Sequence, residues 1–109
     1  MPPDPGRAAR LAAMQTQLAL QYRSHMAADV AFFEQELGRR PLDRDALRRR
    51  AHRIRGAAGS FGFADVGALA HELEEACSAE PGPAGMRLLN RLRLHASLDG
   101  EIGYELGSS

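Results

Sequence analysis

From Arg7 to Leu37 the chain carries neither proline nor glycine, and Leu18, Tyr22, Met26, Val30, Phe33 and Leu37 recur in that run at spacings of three and four. That rhythm places the six side chains on one face of a long amphipathic helix. Gly38 fits a C-terminal stop, and Pro41 bars simple continuation. Asp43 is the expected N-cap of a second helix reaching Gly59 or Ser60, with Leu47, Ala51, Ile54, Ala58 and Phe61 as its apolar stripe. A turn at Gly62 leads to a third amphipathic helix carrying Val66, Leu69, Ala70, Leu73, Ala76 and Cys77. Residues 79–85 (AEPGPAG) read as a loop, and a fourth helix is expected from about Ala84 to Leu98, with Met86, Leu89, Leu92 and Ala96 inward.

Four amphipathic helices with short connections predict an all-α antiparallel four-helix bundle with a long N-terminal helix, over residues 7–98. The Pro/Gly-rich residues 1–6 are expected to form a disordered lead-in. Residues 99–109, which show no strong period, are expected to be a tail or linker. Composition agrees with helices. Aromatics make up 6%, tryptophan is absent, and the apolar residues are mostly Leu and Ala rather than β-branched. A chain of 109 residues is expected to be one domain, and the initial Met and irregular end lean toward a free-standing protein. The single cysteine, Cys77, excludes an internal disulfide and is compatible with a reducing compartment. With no long apolar run and no apolar leader segment, the expectation is a soluble, cytoplasmic protein without a membrane partner.

The second helix contains the stretch RAHRIRGAAGSFG, from Arg50 to Gly62. A glycine inside a helix is less favourable than alanine by about 1 kcal/mol, so Gly56 and Gly59 need a reason. At about 100° per residue, the apolar stripe of this helix centres roughly 140° from His52, which therefore points outward. Gly56 and Gly59 share the side of His52, away from the stripe, so packing between the protein's own helices does not explain them. They read as clearance beside an exposed imidazole. Gly62 falls at the helix end, where glycine is ordinary. Arg48, Arg49 and Arg55 lie three and four residues from His52. Guanidinium groups bind phosphate well, and a neutral imidazole can attack an activated phosphoryl group and hold it.

His52, Arg55, Gly56 and Gly62 resemble the H-x-x-K/R-G-x5-G signature of histidine-containing phosphotransfer (HPt) domains, and Ala68 to Glu74 (ALAHELE) is similar to the family's next helix. The resemblance covers roughly residues 18–98. Arg55 stands where the family more often has Lys; charge is kept, while a fork replaces a point charge. The resemblance implies a phosphorelay intermediate in two-component signalling. His52 would accept a phosphoryl group from a receiver-domain aspartate and pass it to another receiver, with Arg55, Arg48 and Arg49 stabilising it. Gly56 and Gly59 would admit the receiver. The implied partners are response-regulator receivers or a hybrid histidine kinase, and Mg²⁺ is expected on the receiver only, with no cofactor and no ATP-dependent kinase activity in this chain.

Other readings compete. His25, His71 and His95 are scattered, and HELEE lacks the second histidine of HExxH, so no metal site is expected. Eight arginines between Arg39 and Arg55 raise nucleic-acid binding, but the net charge is zero and Glu72, Glu74 and Glu75 would repel a backbone. A docking or scaffold bundle that never carries phosphate is the third reading.

Overall fold

A computed structural model describes the backbone of residues 4–108 and the side chains as far as Ala96. Four helices follow one another: α1 (Pro5–Glu36), α2 (Arg44–Ser60), α3 (Ala64–Ala76) and α4 (Pro81–Ser108). No strand occurs among the described residues. Helix α2 packs on α3, α3 on α4 and α4 on α1, closing an antiparallel bundle.

Local chemistry sets the ends. The Asp4 side chain accepts a hydrogen bond from the Gly6 amide at 2.9 Å, and Pro5 occupies the first turn. This cap starts α1 before Arg7, so the expected lead-in loses Pro5 and Gly6; residues 1–3 lie outside the described residues. Asp43 caps α2 by accepting from the Ala46 amide at 3.0 Å. At the other end Gly62 takes φ 84°, and the Phe63 amide donates back to the Ala58 carbonyl at 2.9 Å. That is a Schellman closure, and its left-handed residue favours glycine. The expected loop over 79–85 is shorter than its composition suggested, because α4 begins at Pro81. Prolines 81 and 83 sit in the first turn, where amides have no intrahelical acceptor to lose. The α4 backbone also stays helical beyond Leu98, through the segment expected to be a tail.

The core is Met26 and Phe33 from α1, Leu47, Ala51, Ile54 and Ala58 from α2, Val66, Ala70 and Leu73 from α3, and Leu88, Leu89 and Leu92 from α4. Several expected core positions shift, and Val30, Leu37, Leu69, Ala76 and Ala96 are only half-buried. Met86 is exposed while Leu88 is fully buried, so the inward face of α4 is one residue step round from the predicted stripe. Phe61 is half-buried at the helix end, and Leu18 is exposed. Between α1 and α2 the connection is made by long side chains. The Arg50 Nε donates to Asp29 Oδ1 at 2.7 Å, and its guanidinium lies 4.6 Å from the Phe32 ring centre. Tyr22 stacks on Phe61 at 4.8 Å. Burial, with the nearby Asp29 charge, pushes the Tyr22 hydroxyl up to about 12.

Candidate functional site

Helix α2 presents His52 near its middle, on the side opposite Leu47, Ile54 and Ala58. Its side chain is 68% exposed, and Nδ1 stands 3.2 Å from Glu74 Oε2 on α3. A carboxylate only accepts, so this bond assigns the proton to Nδ1 and leaves the Nε2 lone pair unshared. Nε2 has no partner among the described residues.

Glu74 serves a second residue. The Arg55 Nε lies 3.2 Å from Glu74 Oε1, a charge contact that lacks hydrogen-bond alignment. Arg55 Nη1 donates to His71 Nδ1 at 2.9 Å, which requires that nitrogen to be unprotonated, because arginine has no acceptor. His71 Nε2 in turn faces Glu75 Oε1 at 3.8 Å. The α3 residues Gly67, His71 and Glu74 are spaced by four and three, so they form one ridge along α2. A Cβ at Gly67 would meet the Arg55 carbonyl at 3.8 Å, which shows how closely the two helices pass.

The arginines expected to surround His52 separate into two groups. Arg55 is brought beside it through Glu74. Arg48 and Arg49 are both turned onto Asp45, one turn toward the start of α2. The Arg48 hydrogen bond, joined by the charges of both arginines, outweighs desolvation and holds the Asp45 carboxyl below its ordinary range. Gly56 and Gly59 are exposed, and a Cβ built on either meets nothing within 4 Å. Nothing in the chain itself requires a glycine there. Toward α1, the flank of α2 opens into a cleft lined by Tyr22, His25, Asp29, Arg53, Ala57 and Phe61.

Glu74 and His71 were missed as site residues. By sequence alone Glu74 is one of three acids that would repel DNA, and His71 is one of three scattered histidines. Their signal is the i, i+4, i+7 ridge of α3, legible only once α3 is known to lie against α2. Cys77 is buried, and burial pushes its thiol up, as expected of a core residue. Among the described residues no group of three or more His, Cys, Asp or Glu side chains is placed to hold a metal ion. No helix among the described residues is long and apolar enough to cross a membrane.

The family model for the Hpt domain matches residues 9–100. No curated protein and no solved structure matches the chain.

Proposed function

The chain belongs to the Hpt domain family, whose members are phosphocarriers in two-component signalling, and from that premise we propose that His52 is its phosphoryl acceptor and donor. One observation carries the assignment. His52 spends Nδ1 on Glu74 and keeps Nε2 free on a face that Gly56 and Gly59 leave open.

In the proposed reaction the Nε2 lone pair attacks the phosphorus of a receiver's aspartyl phosphate. The P–N bond forms as the P–O bond breaks, and the bonding electrons return to the aspartate carboxylate. The imidazole then carries positive charge, with its Nδ1–H directed at Glu74, so the carboxylate stabilises the phosphorylated state. Arg55, held by Glu74 and His71, lies one helical turn from the phosphoryl group and offsets part of its negative charge. Transfer to a second receiver runs the same step backward. Phosphoryl transfer depends chiefly on positioning and charge, so this chain supplies a nucleophile and a docking face. The receiver supplies the aspartate and its Mg²⁺, and neither a cofactor nor kinase activity is assigned here. The receiver approaches over α2 and the adjoining cleft toward α1. With such a partner, the location we propose is the cytoplasm.

Nucleic-acid binding is disfavoured because the arginine cluster is largely paired within the fold. Arg48 and Arg49 bind Asp45, Arg50 binds Asp29, and Arg55 binds Glu74.

The test is incubation with phosphorylated receiver domains. Label should pass to the protein as an acid-labile, alkali-stable adduct, and His52→Gln should abolish uptake. Undiminished labelling of that variant would sink the assignment. Binding that leaves the receiver phosphorylated would mark a scaffold instead.

A further inference from the structure

Arg55 is the cation that the fold brings beside His52, and two side chains of α3 decide where its guanidinium lies. Glu74 Oε1 stands 3.2 Å from Nε, and His71 Nδ1 accepts from Nη1 at 2.9 Å. The two contacts differ in kind. Glu74 is shared, since its other oxygen faces His52 Nδ1 at 3.2 Å. Its contact with Arg55 has charge without hydrogen-bond alignment, so it attracts the guanidinium and does not fix the plane of the fork. The directional bond is the one to His71.

That bond depends on a proton. A guanidinium stays charged and only donates, so His71 can receive it only while Nδ1 keeps its lone pair. A protonated His71 would set two N–H donors 2.9 Å apart, on two cations, with no lone pair between them. Imidazole is the side chain whose charge ordinarily changes between about pH 5 and 8. The charged ring has somewhere to turn. Glu75 Oε1 lies 3.8 Å from Nε2, one turn along α3, and the His71 side chain is 52% exposed. The charged groups facing His71 are thus Arg55 from α2 and Glu75 from its own helix, with Glu74 beyond Arg55. Among the described residues no ion pair or hydrogen bond reaches it from α1 or α4.

We propose that His71 is a positioning residue for Arg55, and that its protonation unties the guanidinium from α3 and slows phosphoryl transfer. Transfer depends on charge already in place. A fork held at both Nε and Nη1 meets the incoming phosphoryl group in a fixed orientation, whereas one attracted only by Glu74 must be ordered at each encounter. The tether belongs to the resting protein; its effect on rate rests on the assignment of His52.

Two variants separate the tether from the titration. Asparagine at 71 offers an amide oxygen where Nδ1 stands and does not titrate, so His71→Asn keeps an acceptor at every pH. His71→Leu offers none. In single-turnover labelling from a phosphorylated receiver, the wild-type rate divided by the His71→Asn rate should fall about fivefold from about pH 8 to about pH 5.5. The quotient cancels titration of His52 and of the receiver, which both proteins share. At about pH 8, His71→Leu should transfer about fivefold more slowly than His71→Asn. A flat quotient, or a leucine variant as fast as the asparagine one, overturns the proposal.

The second readout needs no receiver. In a His52→Gln background, which removes the other imidazole in contact with Glu74, the ¹⁵N resonance of Arg55 Nε should move with the titration of His71. In His71→Asn it should stay still. A resonance that ignores His71 overturns the tether. If no label reaches the wild type, the assignment of His52 fails, and the resonance alone decides whether His71 holds Arg55.

Discussion

His52 and His95 each face a carboxylate on α3, yet they form opposite devices. His52 meets Glu74 through Nδ1 at 3.2 Å, with its side chain 68% exposed. His95 meets Asp65 through Nε2 at 2.9 Å, with its side chain 16% exposed and edge-on to Phe63. The same pairing therefore leaves different nitrogens over. In His52 the leftover nitrogen is Nε2, at the exposed end of the ring. In His95 it is Nδ1, which is buried without a partner. Reactivity here depends on which nitrogen the carboxylate takes and where that leaves the other. A lone imidazole in a sequence carries neither fact.

The largest expected effect separates these two histidines. His52→Gln should eliminate phosphoryl uptake from a labelled receiver, while His95→Gln should retain it and instead lower stability by about 1 kcal/mol, read as a shift in the urea midpoint. Loss of transfer in the His95 variant at unchanged stability would break the comparison. Next comes Glu74→Ala. A hydrogen bond to a charged group contributes about 1.5–3 kcal/mol, so transfer should slow about tenfold or more in single-turnover labelling. Glu74→Gln, whose amide oxygen still accepts from Nδ1–H, should recover part of the rate.

Gly56→Gln tests the open face. With nothing within 4 Å of its Cβ, it should raise stability by about 0.5–1 kcal/mol. It should nevertheless slow transfer several-fold, and faster or equal transfer would remove the clearance argument.

The smallest effects are pH limbs. Burial tends to raise the Asp65 carboxyl, but the His95 hydrogen bond, the Val66 amide and the charges of His95 and Arg91 outweigh it, leaving Asp65 below its ordinary 3.8. A depressed carboxyl stabilises the fold above its unfolded value, and that contribution is lost as pH falls through the lower folded value. The urea midpoint should accordingly drop below pH 3.8, and less so in Asp65→Asn. Tyr22 has the opposite sign. Its contribution is complete below pH 10 and is lost as pH rises toward 12. Tyr22→Phe should flatten that basic limb.

Much of this was legible in the chain. Asp43 as a cap, Gly62 as a helix end, and the stripe Leu47, Ala51, Ile54 and Ala58 follow from local rules, and so does the outward direction of His52. What failed did so for physical reasons. Prolines 81 and 83 read as loop residues, although a helix tolerates them in its first turn. Met86 was read inward and Leu88 was passed over because Met86, Leu89 and Leu92 also make a fair helical stripe, and only the position of the neighbouring helices chooses between faces. Arg48 and Arg49 were read as neighbours of His52 by spacing, but Asp45 sits within the same reach and takes both.

The sequence by itself determined the four helices, their order and the exposed histidine with its flanking glycines, because period, capping and turn chemistry act within a few residues. Only the tertiary structure decided that Glu74 takes Nδ1 of His52 and that His71 holds Arg55. Those facts depend on the register between helices about twenty residues apart or more in sequence, and that register is set by how the buried faces interlock.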